Sequence, residues 1–200
     1  MKRSATKTLT VIFILVLISV GAVLLVSSSH PRPSSIGDTS SRTLIFIRHA
    51  EKPEDATDLN ITQAGRRRAL CVASKIQIPQ TIYVAYDKGK SKRSLQTGAI
   101  ISCRLKELYD IDVPVVSYKR DKWMKMLKAI PKDGLFLVVW EHSVLVDIVK
   151  YLNPVEKVPK IKSDEFDKMY VVSASGKRVH LEVKDQGCDD ADDENSACSI

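Results

Sequence analysis

Short apolar runs alternate with stretches of helical spacing through the middle of this chain, and that alternation restricts the folds open to it. Residues 44–47, 81–85 and 135–140 are short and rich in branched and aromatic side chains, as buried strands are. After the first run, Thr62 is a good N-cap for a helix to about residue 76, with Ala64, Ala69, Val72 and Ala73 at its small or apolar positions. The basic loop 87–92 leads into a second helix carrying Leu95, Ala99, Ile100, Cys103 and Leu108. Trp123, Met126, Leu127 and Ile130 mark one face of a helix over 121–130. A last helix follows Ser143, read as its cap, and carries Leu145, Val146, Ile148, Val149 and Leu152 to a stop at Asn153-Pro154. Residues 113–117 form a short strand in which Pro114 suits an edge position. Residues 168–173 and 177–183 predict a closing hairpin around Ala174-Ser175-Gly176. Strands that alternate with helices pair through right-handed crossovers. The expected fold is α/β, a three-layer α/β/α sandwich with a mainly parallel central sheet, preceded by one transmembrane helix.

The ends of the chain are set apart by composition. Residues 9–26 contain no charge and follow Lys2, Arg3 and Lys7. About 18–20 apolar residues span a bilayer, whereas a secretory core is usually about 7–15. Basic residues on the N-terminal side keep that end cytoplasmic and send the remainder across. The reading is a basic tail (1–8), a signal-anchor (9–26), a serine- and proline-rich flexible stalk (27–42), a domain (43–184) and an acidic, solvated tail (185–200). The domain is then lumenal or extracellular; a cleaved signal, with Val26-Ser27-Ser28 as its site, would instead give a secreted protein, and the opposite orientation stays open.

Charge narrows the partners. Removing the three cations of residues 1–7 and the six acids of the tail from the net charge of +7 leaves +10 for residues 8–184. A basic middle attracts anions, whether substrates or headgroups. Nucleic acid is not expected, because the aromatics are few and not interleaved with the cations. The four cysteines make no disulfide scaffold: Cys71 and Cys103 fall in expected helices as buried thiols, and Cys188 and Cys198 bracket the acidic tail, where they would pair with each other in an oxidising compartment. Asn60-Ile61-Thr62 fits a glycosylation acceptor there, although Thr62 serves equally as the helix cap.

The chemistry concentrates where strands end. Arg48-His49 directly follows the first strand, at the end where open α/β sheets place their ligand crevice. Arginine grips phosphate bidentately, and neutral imidazole is a nucleophile near pH 7. A single such pair most often lies in a solvated loop, so the neighbouring strand ends decide the matter.

Three further segments join it. Ile45-Phe46-Ile47-Arg48-His49-Ala50-Glu51-Lys52-Pro53 resembles the Arg-His-Gly signature of the histidine phosphatase superfamily, also called phosphoglycerate-mutase-like, in the small form that continues Glu-Lys-Pro. Thr62-Gln63-Ala64-Gly65-Arg66-Arg67-Arg68-Ala69 is similar to the opening of that family's first helix. Lys92-Arg93-Ser94-Leu95-Gln96-Thr97 resembles its Arg-Ala/Ser-x-Gln-Thr element, and Trp140-Glu141-His142-Ser143 stands where the family has Gly-His-Ser. The resemblance implies a phosphate pocket of Arg48, Arg93 and His142, with His49 attacking phosphorus to form a phosphohistidine that water hydrolyses. The expected activity is hydrolysis of a phosphomonoester, on a small molecule or a phosphoprotein. The alternative is an inactive phosphate-binding or interaction module of the same fold.

The general acid is less determined. Glu51 lies two residues beyond the nucleophile, Glu141 precedes His142, and Asp121 follows the third strand. Two positions depart from the family pattern: Ala50 replaces a glycine, which matters if the backbone there needs positive φ, and Glu141 puts a carboxylate where the family has glycine. No cofactor is expected. His49 and His142 lack partners at metal-ligand spacing, and the chain has neither a dinucleotide fingerprint nor a phosphate-cradling glycine loop.

Overall fold

A computed structural model of the chain describes residues 41–55, 57–87, 89–189 and 196–198. The expected anchor at 9–26 and most of the expected stalk lie outside the described residues. Among those described, no helix is long and apolar enough to cross a membrane.

The elements run β1 (Ser41–Arg48), α1 (Gln63–Lys75), β2 (Thr81–Tyr86), α2 (Arg93–Tyr109), β3 (Val115–Lys119), a 3-10 turn (Arg120–Lys122), α3 (Trp123–Ala129), β4 (Gly134–Trp140), α4 (His142–Leu152), β5 (Lys168–Ser175) and β6 (Arg178–Asp185). They build one six-stranded sheet in the order β3-β2-β4-β1-β5-β6. The first four strands in that order pair in parallel. The expected closing hairpin, β5-β6, adds to β1 antiparallel, so the sheet is mixed, with its parallel part in β3-β2-β4-β1. Edge placement of the short third strand holds, with Pro114 just ahead of it.

Continuous apolar runs form the central strands because both faces of the sheet are covered. Along β1, Leu44 and Phe46 join one core and Ile45 and Ile47 the other. Along β4, Phe136, Val138 and Trp140 face the first core and Leu137 and Val139 the second. Helices α3 and α4 close the first core with Met126, Leu127, Leu145 and Ile148. Helices α1 and α2 close the second with Leu70, Val72, Ile100 and Leu105. Each such side chain taken from water contributes about 1.5–3 kcal/mol. At Gly98 on α2, an added Cβ would lie 2.5 Å from Val84 Cγ1, so the helix rests directly on β2.

Three local expectations are corrected. The helix over 121–130 begins with the 3-10 turn and becomes α-helical only at Trp123. Ser143 is not the cap of α4; Glu141 holds the N-cap position, and the Ser143 hydroxyl donates to Glu141 Oε1 at 3.0 Å. The cysteines pair differently, as Cys71–Cys188 and Cys103–Cys198, so Cys71 and Cys103 are not free thiols. Sequence separations of 117 and 95 residues make that pairing a property of the folded chain.

The described parts of the tail are therefore fastened and not simply solvated. Cys188 and Cys198 are buried against α1 and α2. Arg66 donates to the carbonyls of Ser196 and Cys198 at 2.8 and 3.0 Å, and Glu107 accepts from Ser196 Oγ and the Ala197 amide. Loops this long restrict the unfolded chain strongly when cross-linked. Replacing Cys71 and Cys188 together by serine should lower unfolding free energy by about 2–5 kcal/mol in urea titration. A non-reduced digest should yield the two mixed-helix peptides; a Cys188–Cys198 peptide would refute the pairing.

Candidate active site

The C-terminal ends of β1, β2, β3 and β4 share one rim because those strands are parallel. Register puts Arg48 beside Trp140, and the His49 amide donates to the Trp140 carbonyl at 3.0 Å. His49 and Glu141 are thereby fixed at adjacent strand ends. Next to them opens a cavity of about 210 Å³. Its wall carries His49, the cations Lys90, Arg93 and Arg120, the acids Asp87 and Glu141, and Ala85, Ser91 and Ser94.

The His49 ring is buried, and its Nδ1 lies 2.8 Å from the Ala50 carbonyl oxygen. A carbonyl only accepts, so Nδ1 carries the proton and Nε2 keeps the lone pair. Burial pulls the imidazole pKa down to about 4; the Ala50 carbonyl opposes this, and Arg48 and Arg93 reinforce it. The ring is neutral at physiological pH.

The expected phosphate ligands are placed unequally. Arg93, first residue of α2, stands on the cavity wall, steadied by the carbonyls of Asp58 at 2.6 Å and Asn60 at 3.2 Å. Arg48 is buried, with its guanidinium 3.8 Å from the Phe166 ring centroid. Its Nη1 donates to the carbonyls of Lys162 and Glu165, and burial lowers its pKa to about 10, so it stays charged. His142 opens α4, with Nδ1 3.8 Å from Glu141 Oε1. Burial and then the charge of Arg48 lower its pKa. Among the described residues, neither Arg48 nor His142 lines the cavity, although both flank it in sequence.

The three candidate acids are separated. Glu51 is ion-paired with Arg68 Nε at 2.6 Å, and Arg68 also binds Asp167 and Asp189. That cluster lines another depression, and Glu51 is not on the wall that carries His49. Asp121 is exposed and paired with Lys122 at 2.8 Å. Glu141 alone of the three is on the wall beside His49.

Residues not foreseen complete the frame. Thr97 Oγ1 accepts from the Ala50 amide at 3.0 Å and donates to the Arg93 carbonyl at 2.8 Å, joining the loop after β1 to α2. Gln96 donates to Asn60 Oδ1 and accepts from the Ile61 amide, holding the loop that steadies Arg93. Both sit in the Gln-Thr pair of the third sequence segment, where only Arg93 had drawn notice. Arg120 directly follows β3 at the same rim, as the first residue of the 3-10 turn. Among the described residues, the group of Cys103, Glu107 and Cys198 has metal-ligand proximity, but both sulfurs are committed to a disulfide.

Because the folded His49 pKa lies below its ordinary 6.5, its neutral form contributes stability fully above that value. That contribution falls as pH drops through 6.5 towards about 4. NMR of the imidazole should show titration near 4 in the free protein; a midpoint near 6.5 would contradict the buried geometry.

The sequence matches no protein-family profile and no curated protein. Solved structures do resemble it. The protein histidine phosphatase SixA, solved with tungstate, superposes with a TM-score of 0.52 at 13% identity, over 72% of this chain and 97% of SixA. A phosphoglycerate mutase from Bacillus anthracis str. Sterne gives 0.53 at 11% identity, over 74% of this chain and 95% of the mutase. With both matched almost end to end, the chain shares the fold of these two proteins.

Proposed function

We propose that this protein is a phosphatase that hydrolyses a phosphomonoester through a phosphohistidine on His49. The observation that carries the reading is the state of His49: buried, neutral, with Nδ1–H held by the Ala50 carbonyl and the lone pair left on Nε2, on the wall of a cavity rich in cations. A phosphoryl group in transfer spreads charge over three oxygens, so catalysis is mostly positioning and electrostatics. Arg93, Arg120 and Lys90 supply positive charge there. Helices α2 and α4 both begin at this rim. Ser91 Oγ accepts from the Arg93 amide at 3.3 Å, and the N-cap residues Lys92 and Glu141 cap no amide, so further first-turn amides are suited to an anion. Nε2 attacks phosphorus, the P–O bond to the leaving group breaks, and water then cleaves the P–N bond to release phosphate and restore neutral His49.

The tungstate in SixA supports binding of a tetrahedral oxyanion by this fold, and the substrate we infer is an anionic phosphorylated small molecule or phosphoprotein. Localisation follows from chemistry. All four cysteines are paired, as in oxidising compartments. With the apolar run 9–26, this supports a single-pass membrane protein whose domain is lumenal or extracellular, or a secreted form if the run is cleaved.

A second reading, an inactive phosphate-binding module, draws on the Glu141 carboxylate in the cavity and on Arg48 Nη1 being committed to loop carbonyls. Turnover of p-nitrophenyl phosphate by the full chain separates the two. The phosphatase should lose at least about 1,000-fold in kcat on His49→Ala, and a quenched reaction should show phosphate on His49 by mass spectrometry. Binding of inorganic phosphate with no turnover would leave the module.

A further inference from the structure

We propose that Glu141 is the proton carrier of this site, acid to the leaving oxygen and then base to the attacking water. The assignment rests on the phosphatase reading with His49 as nucleophile. An alkoxide leaving group needs a proton from a carboxyl within reach, and the same group, once ionised, is suited to take a proton from water. Among the described residues, Glu141 and Asp87 are the carboxylates on the cavity wall. Asp87 sits in a surface turn, 3.5 Å from the exposed Lys90. Glu141 follows Trp140, whose carbonyl receives the His49 amide, so one backbone hydrogen bond fixes acid and nucleophile together.

The Glu141 carboxyl is also oriented. Arg120 Nη1 lies 3.2 Å from Oε2, and the Ser143 hydroxyl donates to Oε1 at 3.0 Å. Cation and hydroxyl hold the two oxygens from two different elements, the 3-10 turn after β3 and the first turn of α4. Arg120 is thus a positioning residue for the acid. The proton that the leaving oxygen needs is carried into the first step on this carboxyl. In the first step Nε2 bonds to phosphorus, the P–O bond breaks, and the leaving oxygen takes that proton, leaving Glu141 ionised. In the second step Glu141 accepts a proton from water as its oxygen attacks phosphorus and the P–N bond breaks. Both steps balance with water as the only co-reactant. The carboxylate at a position where the resemblance leads one to expect glycine then has a use.

The test is leaving-group dependence in rapid-quench experiments on the full chain. p-Nitrophenolate departs without a proton, whereas the alkoxide of glycerol 2-phosphate does not. Glu141→Gln should slow phosphorylation of His49 by glycerol 2-phosphate about 100-fold or more, while leaving a burst of p-nitrophenol nearly as fast as in wild type. Hydrolysis of the phosphohistidine should slow with either probe. Arg120→Ala, at a half-exposed position, should slow both probes through the lost charge and slow glycerol 2-phosphate further, even if Glu141→Gln fails to fold. Equal loss with both probes, or no loss with glycerol 2-phosphate, overturns the assignment. Absence of phosphohistidine in wild type with either probe overturns the phosphatase reading, and Glu141's role with it.

Discussion

The insertion of β4 between β1 and β2 is the constraint from which the site follows. Seven paired positions join β1 to β4 in parallel, from Arg42 with Gly134 to Arg48 with Trp140. The pleat repeats every two residues, so a slip of one would exchange the two cores along the whole strand. Phe46 and Leu44 would leave the core they share with α4, and Ile45 and Ile47 the core they share with α1. Burial on both faces therefore fixes register, and register fixes where His49 stands relative to Glu141. The chemistry at the rim has no independent means of positioning; it inherits its precision from Val, Leu, Ile and Phe packed behind it.

The same burial acts on two neighbouring groups with opposite functional results. Desolvation disfavours the charged form of both Arg48 and His49 and lowers both pKa values. Arginine starts so high that a fall to about 10 leaves it charged. Its position over Phe166 and its bonds to the Lys162 and Glu165 carbonyls compensate part of the lost hydration. Histidine starts near neutrality, so a fall to about 4 leaves it uncharged. One environment thus yields a permanent cation next to a neutral imidazole.

What the sequence disclosed and what it hid divide along the range of the interactions involved. Thr62 caps α1 as expected, accepting from the Gly65 amide, because a cap is a contact over three residues. The central strands were legible because burial on both faces writes an unbroken apolar run. The cap of α4 lies two residues before the expected Ser143, at Glu141, because either polar residue suits the start of the apolar helical pattern. The disulfides were not legible, since proximity in sequence favoured Cys188 with Cys198, whereas the sheet carries the tail across α1 and α2. Glu51 looked catalytic from its spacing to His49, but Arg68 captures it from another element. Arg120 could have been found by the strand-end rule that identified Arg48, and was not singled out.

Ala50 shows how a departure from a family pattern can be absorbed. Among the described residues, Asp110 is the non-glycine with positive φ, so Ala50 has an ordinary backbone and its Cβ adds no strain. Its methyl is buried against the start of α1, where Gly65 leaves room. A Cβ on Gly65 would come within 2.9 Å of the Glu51 amide nitrogen and 3.2 Å of Ala50 Cβ, so at this contact a glycine is required on the helix and not on the strand end. The Ala50 amide is occupied by Thr97, and its carbonyl by the His49 ring. The backbone after the nucleophile is therefore used to set the ring's tautomer and to tie it to α2. The same Thr97 hydroxyl donates to the Arg93 carbonyl, so the start of α2, with Arg93 on the cavity wall, is kept in register with His49.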